Sequence, residues 1–138
     1  KNASIERSLD EKIRLTADRE QFRVVVSCLI KNSLEAINKS GMIRLELDHA
    51  SHVPGEEADY SPSHVRFTIS DNGVGLSKSE REHLFDPFYS GRQAGRGLGF
   101  GLSKCWRILR LHDGTIEAGA KSAENMEDGL TITTLWPA

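Results

Sequence analysis

The chain changes hydrophobic period several times, and each change marks an expected element. Ile5 to Asp10 read as the tail of a preceding helix, and Lys12-Ile13-Arg14-Leu15-Thr16 alternates with the period that suits a short strand. Asp18 followed by Gln21 resembles a capping box, worth about 1 kcal/mol at a helix start. The helix it opens is expected to run to about Asn38. Phe22, Val25, Val26, Leu29, Ser33, Ala36 and Ile37 form its apolar or small face, and Gly41 is its stop. Met42 to Leu47 and Val65 to Ile69 read as strands, separated by a loop over 49–63 with Pro54-Gly55 and Pro62. Ser77 with Glu80 is a second capping-box signal, for a short helix toward Leu84. Ser103 to Leu111 reads as a helix with Trp106, Leu109 and Ile108 turned inward, stopped by Asp113-Gly114. Thr115 to Ala118 begins another strand, and Asp128-Gly129 is a hairpin signal leading into a closing strand, Leu130 to Trp136. Strand pairs separated by helices predict an α+β, two-layer sandwich: a mixed, mostly antiparallel sheet with helices on one face.

Composition narrows the function. A length of 138 residues suits one domain with a real core, and the residues are 38% hydrophobic. The net charge is −2 and the pI near 6.2, which excludes a general nucleic-acid binder needing a basic excess. No apolar stretch approaches the roughly 20 residues of a membrane span. Cys28 and Cys105 fall on two different expected helices; they are too few for a disulfide framework and are expected to be reduced. His49, His52 and His64 flank the long loop without a supporting cysteine or carboxylate pattern for zinc. His83 and His112 fall at helix ends, where His112 can cap carbonyls. The chain starts at Lys1 with no methionine and no signal-peptide pattern, and is expected to be a piece of something longer.

Of the 12 glycines, eight lie between Gly73 and Gly114, and this clustering points to chemistry. Three segments carry it. Asn32 on the long helix is either a surface residue satisfied by water or a neutral oxygen donor for a hard cation. Asp71-Asn72-Gly73-Val74-Gly75-Leu76, directly after a strand, is either a turn or a ring-reading site. In the second case the carboxylate accepts an exocyclic amine proton and the glycines let backbone approach a flat ring. Gly95-Arg96-Gly97-Leu98-Gly99-Phe100-Gly101-Leu102-Ser103 runs straight into a helix and makes an anion site of exposed N–H groups and a dipole end. It fits neither the P-loop nor the Rossmann pattern, and its alternating Leu98, Phe100 and Leu102 are unlike a polar linker.

In this order, with Phe85-Asp86-Pro87-Phe88 before the glycine loop, the motifs resemble the ATP-binding catalytic domain of bacterial sensor histidine kinases. That family shares its Bergerat ATP fold with DNA gyrase, and the resemblance, closest to the nitrogen-regulatory sensor kinases, covers roughly residues 12–137. It implies that Asn32 coordinates Mg²⁺, that Asp71, Gly73 and Gly75 with Leu76 read adenine, and that Phe88 stands beside the ATP lid. Ser103 and His112 have the family's spacing, so Gly97, Gly99 and Gly101, with Leu98 and Leu102, take the phosphate-loop positions. Thr133 falls where the family carries a threonine near adenine.

The resemblance implies that Mg²⁺-ATP is bound and its γ-phosphoryl group passed to a histidine on a separate dimerisation domain, then to a response-regulator receiver domain. Residues 1–11 would be the tail of a linker from that upstream domain and 12–138 the ATP-binding domain, cytoplasmic and free of direct membrane or nucleic-acid contact. Two departures matter. Cys28 stands where kinases usually have another asparagine and the ATPase relatives a glutamate base, which argues against hydrolysis. Ser90-Gly91-Arg92 replaces a common Thr-Thr-Lys, and Arg92 is expected to contact terminal phosphate oxygens bidentately, with Asn32 completing the catalytic pair. The alternatives are a non-catalytic nucleotide-sensing or interaction module of the same fold, and an anti-sigma-type serine kinase. The second is disfavoured by the Phe-x-Pro-Phe box.

Overall fold

The computed structural model describes residues 2–50, 64–86, 101–119 and 129–138. Its first element corrects the sequence reading: Asn2–Leu9 is a strand, β1, and not a helical tail. β1 runs parallel to β2 (Ser40–His49), with Asn2 opposite Ser40 and Leu9 opposite Leu47. Nothing in its pattern announces a strand, because every residue except Ala3 is exposed. The edge is polar, and Glu6 pairs with Arg44 of β2 at 3.0 Å.

Lys12 to Thr16, expected as a strand, joins no ladder. Arg14 donates to the carbonyls of Glu11 and Ile13, and the Thr16 N–H donates to Pro137. Its alternation records the burial of Ile13 and the packing of Leu15 against the core, without a partner strand.

The helix α1 (Arg19–Ala36) begins where expected, with the Gln21 N–H donating to Asp18 Oδ1 at 2.9 Å. It buries Val25, Leu29, Ser33 and Ala36. It ends slightly early because Ile37 turns extended and buries its own side chain; Gly41 then lies inside β2 and does not stop the helix.

The remaining elements are β3 (His64–Asp71), α2 (Lys78–His83), α3 (Gly101–Leu111), β4 (Thr115–Gly119) and β5 (Leu130–Pro137). The sheet order is β1-β2-β3-β5-β4, antiparallel throughout except for the β1–β2 pair. Ile43, Leu45, Phe67, Ile69, Ile132 and Trp136 are buried in one cluster with Val25 and Leu29 of α1 and Cys105 and Leu109 of α3. The opposite face carries polar pairs such as Arg66 with Asp48 at 2.6 Å. This is the expected two-layer α+β sandwich.

Two local readings change. Trp106 is 45% exposed, its ring 5.3 Å from the Arg110 guanidinium, while Cys105 takes the buried place beside Ile108 and Leu109. β4 and β5 pair with Gly119 opposite Thr131, so the link over 120–129 is longer than a two-residue hairpin turn. Asp128 lies outside the described residues. The Ser77–Glu80 capping box is formed in both directions. His112 donates from Nδ1 to the Ile108 carbonyl at 2.8 Å and accepts the Asp18 N–H on Nε2 at 3.0 Å. That neutral tautomer ties the end of α3 to the start of α1.

Candidate functional site

Asp71 closes β3, the residue only 1% exposed, and its Oδ1 accepts the Gly73 N–H at 2.9 Å. The chain then passes directly beneath the last turn of α1. The Val74 N–H donates to the Ala36 carbonyl at 3.1 Å, and a Cβ on Gly73 would stand 2.5 Å from that same oxygen. No side chain fits there, which is a packing reason for glycine.

Gly75 sits at φ +69° against the backbone of Gly129, itself at φ +96°. A Cβ on Gly129 would stand 2.2 Å from the Asp71 carbonyl. Asn72 fixes the other side: its Oδ1 accepts the Met42 N–H at 2.7 Å and its N–H donates to the Met42 carbonyl. Arg81 of α2 donates to the Leu76 carbonyl at 2.7 Å. Asp71, Gly73, Gly75 and Leu76 therefore form one block joined to α1, β2, α2 and the start of β5.

Asn32 lies one turn before Ala36 on α1, with a buried Nδ2 that has no hydrogen-bond partner. Leaving such an atom unpaired costs about 1–3 kcal/mol. The two ends of a side-chain amide are interchangeable by rotation, so the same position can present an oxygen. A neutral amide oxygen suits a hard cation such as Mg²⁺, so the residue present fits that ion. α3 packs beside α1 and opens with Gly101 and Leu102. Leu102 packs against the core, whereas a Cβ on Gly101 would meet nothing within 4 Å.

Between these helices the Cys28 and Cys105 thiols hydrogen-bond to one another, and both are free cysteines. The bond from Cys105, assisted by Lys104 and Lys31, lowers the Cys28 thiol to about 6 against the opposing effect of burial. The Cys105 thiol is pushed up, first by that bond and then by burial.

The structure packs the Asp71 to Leu76 segment against the end of α1, one turn past Asn32, with Gly101 and Leu102 at the head of the adjoining helix. Phe88, Arg92, Gly97, Leu98 and Gly99 lie outside the described residues. Thr133 is not brought to Asp71. It pairs with Thr68 and Glu117, while Asp71 is opposite Leu130, three residues away and about 10 Å along the strand. Its alternation with buried Ile132 and Thr134 also puts it on the face away from the helices.

Sequence reading missed the supporting roles of Asn72 and Gly129. Asp128-Gly129 carried a signal, but as a turn; the close approach of Gly129 to Asp71 depends on a contact distant in the chain. Among the described residues, no helix is long and apolar enough to cross a membrane.

Residues 17–138 match the family described as histidine kinase-, DNA gyrase B- and HSP90-like ATPase. The signal transduction histidine-protein kinase AtoS of Escherichia coli is 32% identical over 123 residues, which are 89% of this chain. Sporulation kinase B of Bacillus subtilis is 28% identical over 139 residues, 100% of this chain. The chain spans only 18% of AtoS and 28% of sporulation kinase B. Among solved structures, the nucleotide-free catalytic domain of histidine kinase ThkA superposes with a TM-score of 0.76 at 25% identity, covering 99% of this chain and 80% of that one.

Proposed function

Because the chain belongs to the histidine kinase-, DNA gyrase B- and HSP90-like ATPase family, we propose that it binds Mg²⁺-ATP and donates the γ-phosphoryl group to a histidine on a separate dimerisation domain. Onward transfer to an aspartate of a response-regulator receiver domain completes the reading. The observation that supports it is the join between two segments: the loop that follows Asp71 bonds through the Val74 N–H to Ala36, one turn past the unsatisfied amide of Asn32, while the Asp71 carboxylate accepts the Gly73 N–H.

In this reading Asp71 accepts the adenine exocyclic amine proton, and Gly73 and Gly75 let backbone approach the ring. Asn32 holds Mg²⁺, which supplies positive charge to the phosphate oxygens when bound. Gly97, Leu98 and Gly99, with Gly101 and Leu102 at the start of α3, would offer N–H groups to the phosphates, and Arg92 would serve the γ end. Phe88 belongs to the lid. Transfer then depends mostly on positioning and charge neutralisation.

Cys28 favours transfer over hydrolysis, since its thiol is engaged with Cys105 and offers no carboxylate to activate water. Two solved relatives support the ligand and partner classes: ShkA is solved with AMPPNP, and ThkA is solved in complex with the response regulator TrrA.

The test is one incubation of the chain with labelled ATP and a separately supplied kinase dimerisation domain. Phosphohistidine on the acceptor is the expected result, and free phosphate released without acceptor overturns it. ATP binding without transfer selects the nucleotide-sensing module. Asn32→Ala is expected to lose Mg²⁺-dependent nucleotide affinity by calorimetry while keeping its melting temperature; unchanged affinity defeats the metal assignment.

A further inference from the structure

α1 and α3 lie side by side on one face of the sheet, and between them Cys28 packs against the core cluster that holds Cys105, the two thiols near enough to act on one another. The two differ in access. Cys105 is 0% exposed, whereas Cys28 is only half-buried and open to a small solute. Lys31 and Lys104 stand near enough to favour negative charge on the Cys28 sulfur. The nucleotide reading uses neither thiol.

We propose that Cys28 and Cys105 are a modification site for hydroperoxides: a dithiol that oxidises to a disulfide tying α1 to α3. The Cys28 thiolate attacks the peroxide O–O bond, forming an S–O bond and releasing hydroxide, which leaves as water. The Cys105 sulfur then attacks the sulfenic sulfur, forming the S–S bond and breaking the S–O bond. The second hydroxide takes the Cys105 proton and leaves as water. Each thiol loses one electron and the peroxide gains two.

The bond has a mechanical consequence, and this part rests on the nucleotide reading above. A disulfide holds its sulfurs about 2.05 Å apart and its Cα atoms about 5.5–6 Å apart, a fixed span between two helices that otherwise only pack. Forming it fixes the spacing of α1 and α3 one turn from Asn32 and one turn from the Gly101 end of α3. Catalytic and binding groups tolerate only about 0.5 Å of displacement. Oxidation is thus a brake on nucleotide binding.

The experiment treats the reduced chain with hydrogen peroxide and reads free thiols, intact mass and the cross-linked peptide. The expected result is loss of both thiols, a mass lower by two hydrogens, a Cys28–Cys105 peptide and full reversal by dithiothreitol. Cys28→Ser, at a half-exposed position, is expected to leave the Cys105 thiol intact at the same dose. Cys105→Ala is expected to trap Cys28 as a dimedone adduct. Intermolecular dimers alone, or a sulfinic Cys28 beside a free Cys105 in the wild-type chain, overturn the site. Oxidised protein is expected to bind Mg²⁺-ATP about tenfold more weakly or worse, given what misplacement costs. Equal affinity in both states overturns the brake. A reduced chain that binds no ATP defeats the nucleotide reading and the brake together, while the mapped disulfide is judged without nucleotide.

Discussion

Two glycine-bearing ends of the same site are built on opposite grounds. At the β3 end, Gly73 faces the Ala36 carbonyl and Gly129 the Asp71 carbonyl, at distances no Cβ survives. At the α3 end, a Cβ on Gly101 would find nothing within 4 Å. The first end needs its glycines to fold at all. The second has no packing reason for glycine among the described residues, which is where the proposed ligand role can be tested. On the proposed reading, one motif family mixes residues required by the fold with residues required by a ligand, and only neighbouring atoms tell them apart.

The largest effect that tests this contrast is Gly73→Ala. Its methyl group would meet backbone on α1, which cannot move without unseating Asn32 and the helix end. A loss of about 3 kcal/mol or more is expected, at the upper end of overpacking costs, read by urea unfolding. A loss below 1 kcal/mol, by the same overpacking scale, would mean that the close approach is not rigid.

Asp71→Asn comes next and separates fold from ligand within the rigid end. An asparagine oxygen can still accept the Gly73 N–H, so stability should change by less than about 1 kcal/mol. ATP affinity should fall roughly tenfold to a hundredfold, the worth of a hydrogen bond to a charged group. Unchanged affinity by calorimetry would remove Asp71 from the adenine side.

The same contrast explains what was legible in the chain. Local chemistry was visible: Asp18 and the Ser77–Glu80 pair cap helices as their spacing predicts, and the Asp71 to Leu76 segment leaves the end of a strand, with Asp71 as its last residue. β1 was not visible, because an edge strand with exposed side chains has no apolar period to read and exists through its ladder to β2. Trp106 misled because size suggested burial, while Cys105 and Leu109, a turn apart, set the buried face. Thr133 was placed by analogy along a strand, and the register with Asp71 decides otherwise. The Cys28–Cys105 contact was beyond reach for the same reason: two helices share it, and no spacing encodes it.

A smaller effect is expected where a residue other than glycine takes a positive φ. Asp113 stands at φ +55°, just past α3, in a conformation that side chains other than Asn and Asp seldom adopt. Asp113→Gly should raise stability by about 0.5–1 kcal/mol if relief of this strain outweighs the added freedom of the unfolded chain. A fall in melting temperature would show that the aspartate side chain, and not the backbone angle, holds the turn to Gly114.

The smallest change in stability, and the sharpest test of the contrast, belongs to Gly101→Ala. Alanine is the better helix former, and the added methyl group enters open space at the first residue of α3. Stability should hold or rise by up to about 1 kcal/mol. If Gly101 is there so that phosphates can approach the helix N-terminus, the same substitution should weaken ATP binding while the protein becomes no less stable. A parallel fall in stability and affinity would make Gly101 another folding glycine and erase the distinction between the two ends. Stability kept and affinity lost would assign the α3 end to the ligand.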